Sequence, residues 1–439
     1  MGRKSREAKS KGGKGRIDDS QPQQQDDRSD DNSENETNEP IDIDNTLDLL
    51  LEPDSQNRIN ALNDLTKVLK LNYRPDIVEQ CMETLKTVFT KAFKKGSTAE
   101  ILAILKNIEY IVVTLGAECD EFFAFASSPL KSLITDSENV QVISDGLRVL
   151  SLLTFIGGPD ESDTLELLPF LDTYALHKNV DVVVNALRGW GLLVSILAPD
   201  VIIKQLFEKN LKTFVSLLEN NSPIVQVAAA NNIALLFDMW AEAAELDARE
   251  FNIQDCDIVD VGELIDQLYA LAKKVSQTAK TNARQQREWR SDIRRAASRM
   301  EAVAGEREHD SDDDNNVVDD YQELKSSHGV QKDAQPSTTV KVQHETVLIE
   351  GVAMLLQLES IRTSLAGGFL VHMTYNPLLH EIFSFDVDLD KVLVSMTPLE
   401  KRMLMSPNSK ASKDRTTARD KDRRNKNQRK RIVFDNHDE

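Results

Sequence analysis

Two stretches of the chain concentrate lysine and arginine, the side chains that bind phosphate groups. Residues 410–431 hold eleven Lys or Arg and three Asp, a local charge of +8. Residues 278–299 hold seven basic and two acidic side chains, a local charge of +5. The first stretch contains no aromatic residue that could stack on bases. Contact with the phosphate backbone of a nucleic acid is therefore the chemistry expected of it.

Three interpretations of residues 410–431 stay open. The segment can contact RNA or DNA without reading sequence, it can be a nuclear localisation signal, or it can be an inert solvated tail. The first two are compatible with each other. The residues predicted to contact RNA are Lys413, Arg415, Arg419, Lys421, Arg423, Arg424, Arg429, Lys430 and Arg431.

The second basic stretch has the period of a helix. Trp289, Ile293, Ala296 and Met300 fall on one narrow face, and arginines spread round the opposite side. The helix can pack by its apolar face and present a row of guanidinium groups. That row is either an ordinary solvated face or a supporting contact to nucleic acid or an acidic protein. The supporting residues are Arg284, Arg287, Arg290, Arg294 and Arg295.

Catalytic and metal-ligating patterns are missing from the sequence. The seven histidines are scattered, and the three cysteines are far apart and form no CxxC. His372 is interpreted as a packed or capping histidine rather than a metal ligand. The acidic residues concentrate in runs where nothing fixes a pair for acid–base chemistry. We expect no enzymatic activity, no cofactor, no metal and no small-molecule substrate.

Helices must position these side chains. Aromatic residues make up 5% of the chain, and Leu, Ile, Val and Ala supply most of the apolar side chains. Straight-chain residues and Ala favour helices. From about residue 45 the pattern is helical: "RINALNDLTKVLKL" (58–71) places five apolar side chains on one stripe. "TVKVQHETVLI" (339–349) alternates enough to be strand or helix, and "NPLLHEIFSF" (376–385) predicts a short helix after Asn376.

An internal repeat runs through the helical region. "NVQVISDGLRVLSLL" (139–153) matches "NVDVVVNALRGWGLL" (179–193) at an offset of 40, and "SPIVQVAAANNIALL" (222–236) follows at an offset of 43. A period of roughly 40–47 residues built from helix pairs is typical of HEAT and armadillo repeats. Arg148 and Arg188 recur in equivalent positions. We predict a pairing of each with an acid or carbonyl inside the repeats, the alternative being contact with a partner.

Charge blocks interrupt the helical sequence. Residues 1–16 carry +6, residues 18–44 carry −10, and residues 305–323 carry −8. Such segments cannot bury a core and are predicted to be disordered. The predicted fold is all-α: a HEAT/armadillo-like solenoid with a small, mostly helical C-terminal domain. The predicted divisions are a charged tail (1–44), the repeat domain (45–304), an acidic linker (305–340), the small domain (341–408) and a basic tail (409–439).

A secretory signal and a membrane span are also missing. The N-terminal residues lack the apolar stretch of a signal peptide, and no apolar run approaches the roughly 20 residues of a membrane span. We therefore expect the protein in the cytoplasm and the nucleus, without a membrane partner.

Four pieces of sequence, in order, resemble the interferon-related developmental regulator family. They are "LNYRPDIVEQCMETL" with "FKKG" and "VTLGAECDEFF", then "ARQQREWRSDIRR", then "LAGGFLVHMTYNPLLHEIFSF", and last "RTTARDKDRR" (415–424). The resemblance extends over most of the chain that is expected to be ordered. It implies a helical-repeat domain, a short C-terminal domain and no enzymatic activity.

The resemblance also implies two roles. Members of the family are linked to translationally idle ribosomes, with a basic C-terminal helix in the RNA-lined tRNA path, and to transcriptional co-regulation through chromatin-modifying complexes. We predict a ribosome-associated adaptor that contacts rRNA and holds ribosomes inactive. The alternative is a nuclear co-regulator that binds protein partners in its helical-repeat groove and uses its basic tail for import.

Overall fold

The computed structural model describes residues 41–246, 258–275, 283–304, 336–343 and 345–386. The predicted acidic linker up to residue 335, the tail segment 1–40 and the basic tail lie outside these ranges. Within these ranges, thirteen α-helices precede the first strand: α1 (Ile43–Leu50), α2 (Ser55–Leu71), α3 (Pro75–Lys95), α4 (Thr98–Leu115), α5 (Asp120–Asp136), α6 (Val140–Gly157), α7 (Glu161–Tyr174), α8 (Val180–Val194), α9 (Pro199–Gln205), α10 (Phe207–Leu217), α11 (Pro223–Leu246), α12 (Val261–Val275) and α13 (Ala283–Ala304).

A second group of elements follows. Strands β1 (Ser337–Val342) and β2 (Glu345–Glu350) are followed by α14 (Val352–Leu365), a 3-10 turn (Ala366–Gly368), α15 (Phe369–Tyr375) and α16 (Pro377–Ile382). We call residues 336–386 the C-terminal segment. The predicted fold class is confirmed: the described chain is helical apart from this hairpin.

Equivalent residues begin equivalent helices of the repeat. Asn139 caps α6 by accepting hydrogen bonds from the backbone N–H groups of Gln141 and Val142. Asn179, forty residues later, caps α8 in the same way. A side-chain oxygen at this position satisfies backbone donors that have no partner inside the helix. The repeat seen in the sequence is therefore a repeat of local structure.

The helices pack as pairs, and the second members of the pairs stack on one another. In the described part of the chain the pairs are α1 with α2, α3 with α4, α5 with α6, α7 with α8, α10 with α11 and α12 with α13. Helices α2, α4, α6, α8, α11 and α13 contact one another in that order. We call this row the helix ladder. One pair cannot bury its own apolar face, so stacking creates one continuous core.

Asparagine side chains connect three steps of the ladder. Each amide donates to a backbone carbonyl of the preceding ladder helix. The hydrogen bonds run from Asn107 to Leu62, from Asn185 to Ser144 and from Asn232 to Leu187, over 2.9, 3.1 and 2.9 Å. A typical intramolecular hydrogen bond stabilises a fold by about 1 kcal/mol net. These bonds also set the register between neighbouring helices, because the carbonyls they need lie at fixed heights.

Ion pairs connect the other two steps. Arg148 on α6 donates to Glu109 on α4 over 2.6 Å. Arg299 on α13 pairs with Asp238 on α11, and both side chains are almost fully buried. The predicted pairing of Arg148 inside the repeats is confirmed. Every step of the ladder thus carries a polar link in addition to its apolar packing.

Two ladder helices form the centre of the core. Helices α6 and α11 are long and apolar enough to cross a membrane by length and composition alone. In the apolar stretches of α6 and α11, 67% and 83% of the residues, respectively, are buried inside the protein. The apolar length of each helix is therefore explained by its neighbours on both sides of the ladder.

The alternating residues at 337–350 form an antiparallel hairpin. Val340 lies opposite Val347 in the register, and Val342 and Ile349 are buried with them on one face. The alternation of residues 339–349, which is compatible with strand or helix, is explained by a strand pair with one buried face. Gly351 follows with φ of 92° and donates its N–H to the carbonyl of Pro336 over 2.8 Å, which closes the hairpin against the start of α14.

Helix α14 lies along the ladder. It contacts α4, α6, α8 and α11, and its buried residues Leu356, Ile361 and Leu365 belong to the same core as the repeats. The described C-terminal segment therefore shares the core of the solenoid. Strand β1 begins inside the stretch assigned to the linker, and α1 begins at Ile43 inside the predicted tail. The other predicted boundaries stay predictions.

Candidate interaction surfaces

The predicted RNA-contacting residues of the tail lie outside the described residues. All nine, from Lys413 to Arg431, therefore stay predictions. Helix α13 contains all five supporting arginines. The side chains of Arg284 and Arg287 also lie outside the described part of the chain, whereas those of Arg290, Arg294 and Arg295 are described.

Helix α13 is packed on two sides. It contacts α11 and α12 and buries Ile293, Ala296 and Met300, three of the four residues of the predicted apolar face, together with Ala297. The side chain of Trp289, the fourth, lies outside the described part of the chain. Burial of Ala297 widens that face beyond the predicted stripe, because α13 lies between two helices instead of on one.

Packing on two sides changes the expected row of guanidinium groups. Arg299 is occupied by Asp238, and Arg295 lies 3.3 Å from Asp292 on its own helix. The side chains of Arg290 and Arg294 are half-buried. Internal acids and neighbouring helices therefore take up part of the surface of this row, and its supporting contact to nucleic acid or an acidic protein stays a prediction.

A buried carboxylate lies beneath α14. Glu109 is fully buried, and its carboxylate accepts hydrogen bonds from Lys106 over 2.8 Å and from Arg148 over 2.6 Å. Lys106 also donates to the carbonyl of Ser364 over 2.6 Å, and Tyr110 donates its hydroxyl to the carbonyl of Leu365 over 2.5 Å. These two bonds satisfy carbonyls of the last turn of α14, which have no partner inside the helix. The repeat helix α4 therefore acts as a cap for α14.

An ion pair and a hydrogen bond connect the middle of α14 to α8 and the residue after it. Arg188 on α8 pairs with Glu359, and the amide of Gln357 donates to the hydroxyl of Ser195 over 2.9 Å. The prediction that Arg188 pairs with an acid is confirmed, but the prediction that this acid lies inside the repeats is wrong. The acid comes from α14, which is more than 150 residues away in the sequence.

His372 and Asn376 attach the end of the C-terminal segment to the first repeats. The Nε2 atom of His372 lies 2.9 Å from the carbonyl of Leu69, and the amide of Asn376 donates to the carbonyl of Val113 over 2.8 Å. Asn376 also caps α16 by accepting from the N–H of Leu378. Burial lowers the pKa of His372 to about 4. The prediction that His372 is packed rather than a ligand agrees with these contacts.

An open cleft lies where α14 leaves the ladder. It has a volume of about 520 Å³ and is bounded by α11, α13, β1 and α14. We call it the α13–α14 cleft. Its walls combine apolar residues such as Val352 and Leu355 with the charged residues Asp292, Arg295, Glu359 and Arg362. This volume is in the range of roughly 300–1,000 Å³ that is typical of binding sites.

Arg362 is the cation of this cleft without an acid partner among the described residues. Asp292 is close to Arg295, and Glu359 is held by Arg188. The guanidinium of Arg362 lies 5.0 Å from the ring centre of Phe369, which orients it without neutralising its charge. Partial desolvation lowers the pKa of Arg362, although the residue stays accessible.

Groups that could do covalent or metal chemistry are poorly placed for it. Burial raises the pKa of the free thiols Cys81 and Cys119 to about 12, so neither is an activated nucleophile. Within the described ranges, no three His, Cys, Asp or Glu side chains are grouped as metal ligands.

Stacked helix pairs with one continuous core define a helical-repeat protein. A match to the family described as Interferon-related developmental regulator (IFRD) covers residues 13–297, and a match to the Interferon-related protein conserved region covers residues 376–427. The chain belongs to the interferon-related developmental regulator family, as the sequence motifs predicted.

Individual relatives agree with this family. The chain is 24% identical over 395 residues to interferon-related developmental regulator 1 of Homo sapiens, a match that covers 85% of this chain and 78% of the relative. The relative from Sus scrofa gives the same values. Interferon-related developmental regulator 2 of Mus musculus is 25% identical over 223 residues, covering 45% of this chain and 49% of that protein.

Solved structures similar to this chain include repeat proteins. A designed armadillo repeat protein, YIII(Dq)4CqI, covers 60% of this chain and 100% of its own length, at 16% identity and a TM-score of 0.38. An archaeal HEAT-like repeat protein from Thermococcus onnurineus NA1 covers 60% of this chain and 88% of its own, at 17% identity and a TM-score of 0.38.

Sequence reasoning did not find the α13–α14 cleft. Arg362 and Glu359 stand on an ordinary helical pattern, and no local signal marks them as facing α13 or α8. The recurrence of Arg188 at the position of Arg148 is the one clue in the sequence, because it predicts a pairing with an acid or carbonyl without identifying the partner.

Proposed function

We propose that the protein is a non-enzymatic regulatory adaptor that associates with ribosomes through residues 410–431, contacts rRNA and keeps the ribosomes translationally inactive. The observation that carries this proposal is the distribution of charge. Residues 410–431 carry +8 in a chain of net charge −20, so the other residues together carry −28. Repulsion from RNA phosphates keeps most of such a molecule away from rRNA and leaves attraction to its basic parts.

The internal ion pairs support the same distribution. Arg148, Arg188 and Arg299 are all engaged by acids of the protein itself. They are therefore poor candidates for phosphate contact. The match to the Interferon-related protein conserved region runs from Asn376 to residue 427, so it joins the anchored helix α16 to the basic tail in one family unit. Under this proposal the protein is present in the cytoplasm and the nucleus.

Sedimentation with ribosomes tests the proposal. In the test variant the nine predicted contact residues of the tail are changed to Gln. The matched control changes the seven basic residues of the N-terminal stretch, Arg3, Lys4, Arg6, Lys9, Lys11, Lys14 and Arg16, to Gln. We expect wild type and control to sediment with ribosomes at low salt, and the tail variant to lose at least tenfold in affinity.

A translation assay provides the functional readout. Added wild-type protein should reduce protein synthesis in a cell-free extract, and the tail variant should not. Sedimentation of the tail variant at wild-type affinity would contradict the proposal, as would a wild-type protein that binds ribosomes without reducing synthesis.

The alternative role is that of a nuclear co-regulator that binds protein partners. The accessible α13–α14 cleft favours a protein partner on the repeat domain. Wild-type protein that stays free of ribosomes in every gradient fraction, with nuclear enrichment that depends on the tail, would support this role over the first.

A further inference from the structure

Among the described residues, the C-terminal segment leaves one part of the ladder uncovered. Helix α14 packs against α4, α6, α8 and α11. Beside α13, the α13–α14 cleft separates α14 from the ladder. A partner approaching this face of the repeats therefore meets the cleft, with α14 as one wall and α13 as the other.

On the wall formed by α14, apolar and charged side chains follow one another in a defined order along the helix. Val352, Leu355, Glu359 and Arg362 lie along one stripe of the helix at spacings of three and four residues, and all line the cleft. The apolar end of the stripe comes first and the cation last. Glu359, between them, is already paired with Arg188. An incoming ligand therefore meets an apolar surface and one unmatched positive charge.

The charges favour an acidic protein segment over a nucleic acid. One unmatched arginine, flanked by Asp292 and Glu359, offers a site for a single anion. A nucleic acid presents a regular series of phosphates and is attracted by a row of cations. Among the lining residues there is also no aromatic ring on which a base could stack.

We propose that the α13–α14 cleft binds a segment of a partner protein in which a carboxylate side chain and an aliphatic side chain are separated by a short spacer. The carboxylate pairs with Arg362, whose planar fork can donate two hydrogen bonds to it. The aliphatic side chain packs on Leu355. This site is separate from the basic tail, so the inference does not depend on ribosome binding.

Helix geometry sets the spacing in the ligand. Leu355 and Arg362 are seven residues apart on α14, which corresponds to roughly 10 Å along the helix axis. An extended peptide advances about 3.3 Å per residue. The acidic and aliphatic residues of the ligand should therefore stand about three residues apart.

Selection of random peptides on the full-length protein tests this site. We expect the selected peptides to be enriched in Asp or Glu about three residues from Leu, Ile or Val. In binding titrations with one such labelled peptide, Arg362→Gln should weaken the affinity about tenfold or more, because it removes a charged hydrogen-bonding partner. Arg74→Gln is the matched control, since Arg74 is a half-buried arginine directly before α3 that pairs with Asp76, away from the cleft.

Two further measurements guard against a folding defect. Changing the acidic residue of the peptide to its amide should weaken binding to wild type as much as Arg362→Gln does, and combining the two changes should add little. Arg362→Lys should bind with intermediate affinity, because the charge is kept and the planar fork is lost.

Specific outcomes would overturn the proposal. These are peptides without the acidic and aliphatic pair, equal affinities for the Arg362→Gln and Arg74→Gln variants, and displacement of the peptide by an RNA oligonucleotide at equal potency. A fourth outcome concerns the acidic residues of 305–323 in this chain. Peptide binding that appears only when these are changed to Asn or Gln would show that the chain itself occupies the cleft.

Discussion

At the scale of single residues, the attachment of the C-terminal segment depends on a histidine that is neutral. The Nε2 atom of His372 is hydrogen-bonded to the carbonyl of Leu69, which requires a proton on that nitrogen. The Nδ1 atom faces the amide of Asn376 at 3.3 Å, and this amide also donates to Val113. Protonation of Nδ1 would place two hydrogen-bond donors, this N–H and the amide of Asn376, opposite each other in a buried site.

This arrangement predicts a pH dependence of stability. The pKa of His372 is about 4 in the folded protein against an ordinary value of 6.5. Between these values the unfolded chain binds a proton that the folded chain does not, so stability falls as the pH is lowered from 6.5 to 4. The loss is on the order of 3 kcal/mol. Urea unfolding from pH 7.5 to 4.5 should show a steeper loss for wild type than for His372→Gln.

The comparison with His372→Gln removes the contribution of the many carboxylates, which titrate in both proteins. Parallel pH profiles of the two proteins would mean that protonation of His372 does not control stability. The sequence predicted that His372 is packed. Its partners could not be predicted, because Leu69 lies about 300 residues earlier in the chain.

At the scale of helices, the ladder is held by polar links that repeat with the sequence period. Asn232 on α11 is buried and donates to Leu187 on α8. Gly191 lies beside it, and a methyl group there would approach the Asn232 side-chain oxygen to 2.4 Å. The small residue at 191 thus makes room for the asparagine that connects the two helices.

We predict that Asn232→Ala lowers the free energy of unfolding by about 1–3 kcal/mol, because the buried carbonyl of Leu187 loses a donor. Asn60→Ala is the matched control, since Asn60 is exposed on α2 and its loss should change stability by less than about 0.5 kcal/mol. Denaturant titrations of the full-length variants measure both. Equal midpoints for the two variants would mean that the link contributes no more than a surface contact.

Helix types and ends were more predictable than the positions of helices relative to one another. The asparagine caps of α6 and α8 and the Asn376–Pro377 start of α16 follow from local chemistry, and the structure has them. The sequence of residues 339–349 fits either a strand or a helix, because short apolar runs fit both periods. Pairing of Val340 with Val347 resolves this, and that pairing is a tertiary contact.

At the scale of the whole molecule, the segregation of charge predicts how the proposed association with ribosomes depends on salt. Each phosphate contact that is lost should reduce the slope of log affinity against log salt by about 0.7–0.9. Changing Arg423, Arg424 and Arg429 to Gln should therefore reduce the magnitude of the slope by about two. The slopes are obtained by measuring sedimentation with ribosomes at several KCl concentrations between about 50 and 200 mM.

Changing Lys4, Arg6 and Lys9 to Gln is the control for net charge, because it removes three cations from the N-terminal stretch. Equal slopes for the two triple variants would mean that total charge, and not the tail itself, governs attachment.

The sequence by itself determined the helical class, the repeat of about 40 residues, the segregation of charge and the family, because each depends on local periodicity, composition or motif. Only the tertiary structure decided that α14 lies along the ladder, that Glu359 pairs with Arg188, and that Arg299 is internal while Arg362 faces an open cleft. The physical reason is that a charged side chain on a helix looks the same in sequence whether its partner is water, a neighbouring turn or a helix more than 150 residues away. Which partner it meets is set by packing of the apolar faces, and that packing is known only from the folded chain.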